Sequence, residues 1–408
     1  MADFAMFDKR LDSGAPNIKD APCIKNVWCI KDALSCAVSI LRVRHNAESD
    51  AAKHNSAESS EHLDAGDSDI DSAFLDSAFR PRLEAEILLA FVLDKPRVWL
   101  HTHDTQALSS DDWQRFLALI HKRAESYPIE YLTKRASFWD MELFVDEGAL
   151  IPRPESEILV QKVCEVLREH ILRDADSGLD SGLDSGLDSG LDSGLDSGLD
   201  SGLDSGLDSG LDSGLDSGLD SGLDSGLDSG LDSGLDSATK PALERHIARI
   251  VEVGAGSGAL SIAIARSVKS ARIIATDISQ DALKIAARNV ADFGLQERIE
   301  LVRAPFLGDI DMSGVDLVFS NPPYIAASYA LPRNVAFEPI SALVGGEKGS
   351  EVLEELIARC ARARVKWLVC EMGYDQKPIM QQVLSLHGYK AEFYKDLAGL
   401  HRGFIAYL

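Results

Sequence analysis

The stretch RIVEVGAGSGALSIAIARSV, Arg249 to Val268, decides how this chain folds. A short apolar run meets glycines at 254, 256 and 258, and an apolar helical pattern follows at once. That order predicts a buried strand, a tight turn and a helix. The rhythm then repeats. RIIATDIS (272–279) and RIELVRA (298–304) read as strands, with the helix QDALKIAARNVADFG (280–294) between them. GVDLVFSNPPY (314–324) reads as a fourth strand, and EVLEELIARCARARV (351–365) as a helix. KWLVCEMG (366–373) is a fifth strand and KPIMQQVLSLHGY (377–389) a further helix; AEFYKDLAG (391–399) and RGFIAYL (402–408) close as strands. Alternating strands and helices predict an α/β fold with a mostly parallel sheet covered on both faces. Ligands on such sheets bind at the carboxyl ends of the strands, where both the glycine turn and Asn321–Tyr324 fall.

Upstream, the pattern is helical. Lys31–Val43 places Leu34, Val38 and Leu41 on one face, and Arg82–Asp94 and Ser109–Glu125 follow as helices. Ser109 or Ser110 is the expected N-cap of the third. The polar stretch His45 to Asp76 reads as a loop insertion, and residues 1–30 as an irregular extension. FWDMELFV (138–145) alternates as a strand, Asp146–Gly148 is turn chemistry, and LIPRPESE (150–157) reads as a short strand, a proline break and a helix start. The expected division is a helical domain at 31–136, a β-hairpin linker at 137–152 and an α/β domain at 153–408.

That last domain is interrupted from Asp176 to Ser237 by a D-S-G-L tandem repeat. Its period of four stacks aspartates at i and i+4, and each unit carries a glycine, so a helix is disfavoured. It also differs from the nine-residue period of calcium-binding β-helix repeats. A solvated, disordered insertion is expected.

The 408 residues carry a formal charge of −25. With the repeat's sixteen aspartates set aside, the rest carries −9, which is unfavourable for general nucleic-acid binding. Six cysteines lack C-x-x-C spacing, which predicts free thiols rather than a disulfide frame or a metal site. There is no secretory pattern at the N-terminus and no apolar run of about eighteen residues. A cytoplasmic, monomeric protein without metal or membrane partner is expected.

Gly254, Gly256 and Gly258 follow G-x-G-x-G, not the G-x-G-x-x-G of dinucleotide binders, which suits a ligand without a pyrophosphate. Asp277, at the end of the next strand, can accept hydrogen bonds from two ribose hydroxyls, or it can cap a helix. Together these residues resemble the class I S-adenosylmethionine-dependent methyltransferases. The resemblance implies a Rossmann-like sheet binding S-adenosyl-L-methionine through Glu252, Gly254, Ala255, Gly256, Ser257, Gly258, Asp277, Pro305 and Asn321. Ala304 stands where that family commonly has an acidic residue at the adenine.

The NPPY turn then gains a chemical meaning. An amide or aromatic amine nitrogen is a weak nucleophile because its lone pair is delocalised. The Asn321 side-chain carbonyl and the Pro322 backbone carbonyl can accept its two N–H groups, Pro322 and Pro323 stiffen the turn, and Tyr324 can pack on the target's flat face. No strong base is required. EYLTKRASFWDMELFVDEGALIPRPESE (130–157), NVAFEPISALVGGEKG (334–349), CEMGYDQ (370–376) and KDLAGLHRGF (395–404) complete a resemblance to the release-factor glutamine methyltransferases, the HemK/PrmC family. It spans about residues 31–408 apart from the two insertions. Lys134 departs from it, since the family has glycine after YLT.

The resemblance implies N5-methylation of the GGQ glutamine of class 1 peptide chain release factors, with the helical domain holding the release factor. Arg153 and Glu155 either shape the cofactor pocket or fix a hairpin–helix junction. Phe138 and Trp139 either line the cofactor side or join the core, with core expected for Trp139. Glutamine methylation of a ribosomal protein and adenine-N6 methylation of nucleic acid are the alternative activities.

Overall fold

A computed structural model describes residues 28–58, 80–172 and 247–408. Most of the irregular extension at 1–30 and the whole D-S-G-L repeat lie outside the described residues. The chain divides into two compact units.

The helical unit takes residues up to Ala136, together with Val145–Glu147 and Ala330–Pro339. It contains α1 (Ile30–Glu58), α2 (Pro81–Leu93), α3 (Arg97–Thr102), α4 (Ser110–Ala124) and α5 (Ile129–Thr133). In α1, Ile30, Ala33, Leu34, Ala37 and Leu41 form one buried stripe. It packs with Leu88 and Leu89 of α2 and Phe116 and Ile120 of α4 in one apolar core. Each such large side chain contributes roughly 1.5–3 kcal/mol on burial. Ser109 is the N-cap of α4, its hydroxyl accepting from Asp112 N at 3.0 Å. Arg123 on α4 makes a forked contact to Glu84 on α2 at 2.9 and 3.0 Å. Residues 330–339 join this unit through Phe337, whose ring meets Tyr127 edge-on at 5.0 Å.

Two expectations change here. The region expected as a loop from His45 is helical as far as Glu58, so α1 runs well past Val43. HNAESDAAKHNSAE is polar but rich in alanine and glutamate, which have high helix propensity, and polarity alone does not break a helix. The helices α3 and α5 were not anticipated, being too short to show a period. Lys134 ends α5 in the left-handed conformation, φ +60°, and its Nζ reaches Asp146 Oδ1 at 2.6 Å. The departure from glycine at this position therefore falls where glycine is the unstrained choice.

The segment 135–144 is a hairpin, β1 (Arg135–Phe138) and β2 (Met141–Phe144), turning at Trp139 with φ +58°. FWDMELFV is thus the end of one strand, a turn and a second strand, not one strand. Phe138 is core, and Trp139 packs against the core from its margin. Leu150–Arg153 forms no strand; Pro154–Ser156 is a single 3-10 turn leading into α6 (Glu157–Val166), which continues as a π-helical turn to Leu172.

The second unit is built on a seven-stranded sheet in the order β10-β11-β9-β6-β3-β4-β5. Its strands are β3 (Ala248–Val253), β4 (Ala271–Asp277), β5 (Ile299–Arg303), β6 (Leu317–Ser320), β9 (Trp367–Glu371), β10 (Lys390–Lys395) and β11 (His401–Tyr407). Six run in one direction, and β11 runs antiparallel to both its neighbours. A small parallel pair, β7 (Ile325–Ala326) and β8 (Val344–Gly346), follows NPPY. Ile250, Phe319 and Val369 pack on one face with α6 and α7 (Ala259–Ser267). Val251, Val318 and Leu368 pack on the other with α9 (Glu351–Arg362) and α10 (Lys377–Leu386). Strands buried on both faces explain why the sequence shows continuous apolar runs rather than alternation. From β3 the chain moves outward through β4, α8 (Gln280–Asp292) and β5, then returns to β6 on the other side. The switch point therefore lies between β3 and β6, where the glycine turn and NPPY both end up.

Cys29, Cys36, Cys164, Cys360 and Cys370 are in no disulfide, and the last three are buried. Among the described residues no cluster of histidine, cysteine and carboxylate side chains could hold a metal ion. No described helix is long and apolar enough to cross a membrane.

Candidate active site

The glycine turn leaves β3 with Gly254, Gly256 and Gly258 all at positive φ, +83°, +53° and +82°. Gly254 N and Ala255 N donate to Thr276 O at 2.8 and 2.9 Å, tying the end of β3 to the end of β4. From the other side the buried Asn289 grips the turn. Its Nδ2 donates to Ser257 O and to Phe144 O, and its Oδ1 accepts from Phe144 N. The turn is rigid, yet a Cβ built on Gly256 would meet nothing within 4 Å. That open side is a cradle which glycine leaves clear for a ligand.

Asp277 borders the cradle. Its Oδ2 accepts from Gly256 N at 2.9 Å and its Oδ1 from Ser279 N at 2.8 Å. The cap of α8 is Ser279, whose hydroxyl accepts from Ala282 N, so Asp277 is not the helix N-cap. Each Asp277 oxygen keeps an acceptor site for a partner such as a ligand hydroxyl. Glu252 lies beneath the turn, 0% exposed. Its Oε2 accepts the Ser261 hydroxyl, and its Oε1 has no partner among the described residues. Burial pushes its carboxyl up to about 8, and the charge of Asp277 adds to the rise. The orphaned oxygen, the glycine cradle and the free acceptor sites of Asp277 together fit a polar ligand bearing hydroxyl groups.

Pro305 sits in the exposed turn after β5, at the same edge of the sheet. Ala304 N donates to Asp277 O at 3.1 Å, so this turn too is anchored to the end of β4. At this position the backbone, not a side-chain carboxylate, makes the polar contact.

NPPY begins one residue past β6. A Cβ on Gly254 would lie 3.9 Å from Asn321 O, so the glycine turn and NPPY adjoin. The Ser320 hydroxyl donates to Val253 O at 2.6 Å and locks the two strand ends together. Pro322 is buried, while Asn321, Pro323 and Tyr324 are half-buried. Behind the turn lies VGGEKG: a Cβ on Gly345 would fall 2.4 Å from Pro323 O, and one on Gly349 2.5 Å from Tyr324 O. Only glycine lets this backing segment approach so closely. Gln376 Nε2 donates to Tyr324 O at 3.0 Å and receives Gly373 N on its own Oε1.

Two side chains in the site were not singled out in the sequence. Asn321 Nδ2 donates to Ser156 Oγ at 2.9 Å, and Ser156 Oγ donates to Glu371 Oε2 at 2.7 Å. The Tyr324 hydroxyl donates to the other Glu371 oxygen at 3.1 Å. Burial raises the Glu371 carboxyl above its ordinary range, opposed by the Ser156 and Tyr324 hydroxyls and by Arg402. Burial, and then the Glu371 charge, push the Tyr324 phenol up, so it stays protonated. Arg153 and Glu155 flank Ser156 in the chain. The available signal was positional: Glu371 ends β9, the parallel neighbour of β6.

Comparison with known proteins places these features in a family. Residues 72–133 match the model of the PrmC N-terminal domain, and residues 229–339 match the methyltransferase small domain, which includes both the glycine turn and NPPY. The chain is 30% identical over 312 residues to a release factor glutamine methyltransferase of Xylella fastidiosa, covering 75% of this chain and 86% of that one. It is 29% identical over 279 residues to the enzyme of the same name from Dictyoglomus turgidum, covering 67% and 71%. Among solved structures, a ribosomal protein L11 methylase from Lactobacillus delbrueckii aligns at 23% identity and TM-score 0.29, over 40% of this chain and 70% of that one. With 30% identity to the Xylella relative over 86% of that relative's length, this chain belongs to the release factor glutamine methyltransferase family.

Proposed function

We infer that the chain transfers the methyl group of S-adenosyl-L-methionine to the side-chain amide nitrogen of a release-factor glutamine, the one in the GGQ motif of class 1 factors. Membership of the family supports the reaction and the protein substrate. The observation that carries the chemistry is the adjacency of the glycine cradle at Gly254 to Asn321. When bound, S-adenosyl-L-methionine supplies a methyl group on a positively charged sulfur.

The chain's own residues do the rest. Gly254, Ala255, Gly256, Ser257 and Gly258 leave room for the ligand, with Pro305 at the margin of the same edge. Asp277 accepts its ribose hydroxyls, and the orphaned Glu252 oxygen lies beneath the cradle. Asn321 Oδ1 and the Pro322 carbonyl accept the two N–H groups of the glutamine amide, which fixes the nitrogen in line for attack. As the new N–C bond forms, positive charge develops on that nitrogen. Those two oxygens face it and stabilise it. Tyr324, its hydroxyl tied to Glu371, offers a fixed ring face to the planar amide and stays a phenol, so it is not a base. The methylated nitrogen becomes acidic and loses its proton to water. The helical unit is the expected holder of the release factor.

The test is mass spectrometry of a class 1 release factor incubated with the chain and S-adenosyl-L-methionine. One methyl group should appear on the GGQ glutamine. Asn321→Ala should lower kcat by about 10²–10³-fold, as loss of a preorganised charge-stabilising partner does. A methyl group on a different protein or on adenine, with none on the release factor, would overturn the reading.

A further inference from the structure

We propose that Ser156 and Glu371 are positioning residues that set which end of the Asn321 amide faces the substrate, an inference that rests on the amide-methylating reading above. An asparagine amide is nearly symmetric in shape, yet only its oxygen can accept an N–H from a target amide. Turned over, Asn321 would present a second donor to a donor and repel the substrate. Something must decide the orientation.

The decision begins at Glu371, 1% exposed at the end of β9. An ionised carboxylate only accepts hydrogen bonds. The hydroxyls of Ser156 and Tyr324, on its two oxygens at 2.7 and 3.1 Å, must therefore both donate to it. Ser156 has a single proton and has now committed it. Its oxygen, 3% exposed, can only accept from Asn321, 2.9 Å away. The amide must turn its NH₂ end to Ser156, and Oδ1 is left for the substrate. The order carboxylate, hydroxyl, amide transmits one polarity from a buried charge to the reacting group.

The groups facing Glu371 oppose the effect of its burial. Arg402, on β11, acts on it favourably and is itself held by Asp396 at 2.8 Å. Ser156 and Tyr324 supply the hydrogen bonds, and Glu155 adds an opposing negative charge. Tyr394, on β10, has its phenol pushed far up and gives its own proton to Cys370 O, so it stays neutral beside Glu371. Once protonated, Glu371 becomes a donor on one oxygen. Ser156 is then free to donate to Asn321 instead, and the amide loses its single orientation. Because burial raises this carboxyl, the change falls at a higher pH than for an ordinary carboxylate.

The experiment has two arms on the full chain. The first follows the Asn321 side-chain amide by NMR in ¹⁵N-asparagine-labelled protein without substrate, the resonance being assigned by its loss in Asn321→Asp. The wild type should show a shifted, slowly exchanging NH₂ pair that titrates on acidification. Ser156→Ala should return it to the position of a solvated amide, Ser156→Thr should keep it, and Glu371→Gln should abolish the titration. The second arm is steady-state methylation of a class 1 release factor. Ser156→Ala should lower kcat about tenfold, with KM for S-adenosyl-L-methionine unchanged, and Ser156→Thr should restore it; Glu371→Gln should remove the acidic limb of the kcat profile. An amide resonance indifferent to Ser156→Ala, or an unchanged kcat in that variant, overturns the proposal. A wild-type chain that leaves the release factor unmethylated defeats the functional reading, and the amide resonance alone then upholds or overturns the positioning role.

Discussion

The glycine turn after β3 and the NPPY turn after β6 end adjacent parallel strands, and they are built in opposite ways. The first is held by backbone: three glycines at positive φ, two amides on Thr276 O, and Asn289 gripping from behind. It presents open space and backbone to a ligand. The second is stiffened by two prolines and backed by glycines of another segment, and side chains from distant parts of the chain orient it. It presents one side-chain oxygen with a chosen direction. A cradle needs room, which local glycine supplies. A reacting group needs orientation, which local sequence does not supply.

The sharpest way to break this comparison is Gly345→Ala. Its methyl would fall 2.3 Å from Gly349 O and 2.4 Å from Pro323 O, backbone atoms that cannot rotate aside. The loss should be about 3 kcal/mol of stability, with at least a tenfold fall in kcat, read by thermal unfolding and methyl transfer. Unchanged kcat would mean that NPPY needs no backing.

Next in size is Glu252→Gln. The buried carboxyl titrates near 8 in the folded chain and near 4.5 unfolded, so the folded state holds the extra proton in between. Its contribution is fully present below pH 4.5 and is lost as pH rises through 8. The stability of Glu252→Gln relative to wild type should therefore rise across that window and then level off. Denaturant midpoints at the two ends of the window measure it. A constant difference would show that the cradle is not built over a neutral carboxyl.

Gly256→Ala should act on the ligand more than on the fold. The new methyl meets open space but sits at φ +53° and occupies the cradle. Cofactor Kd should rise about tenfold, roughly 1.4 kcal/mol by calorimetry, with kcat at saturation nearly unchanged. A fall in kcat at constant Kd would erase the division of labour between the two turns.

The smallest effect sharpens the contrast from outside the site. Lys134 occupies a left-handed position without glycine, helped by its contact to Asp146. Lys134→Gly relieves strain of about 1 kcal/mol and loses a half-exposed ion pair contributing less than that. The thermal midpoint should rise slightly. A clear fall would show that the ion pair outweighs the strain.

The difference between the two turns also governs what could be read from the residues alone. The strand–helix rhythm from Arg249 onward, the glycine turn and NPPY are each contiguous, and their local chemistry is sufficient to identify them. Ser109 as a cap was legible for the same reason. The helical run to Glu58 was obscured because polar composition resembles a loop, although its alanines and glutamates favour helix. The hairpin at 135–144 was misplaced because Trp139, at φ +58°, is an unusual turn residue. The short helices α3 and α5 carry too few turns to show a period. Ser156 and Glu371 were passed over because they lie 215 residues apart, and a lone serine after a proline has no signature.

By itself, the sequence determined the α/β rhythm, the glycine turn, the proline-stiffened NPPY turn, and a family resemblance carried by motifs in order. All of these follow from contiguous residues whose periodicity, backbone freedom and functional groups act locally. The tertiary structure alone decided that Glu252 is buried under the cradle, that Ser279 rather than Asp277 caps α8, and that Asn321, Ser156 and Glu371 are joined by hydrogen bonds. Hydrogen-bond direction is a property of a network, and a donor or acceptor is committed only when folding brings its partners within about 3 Å.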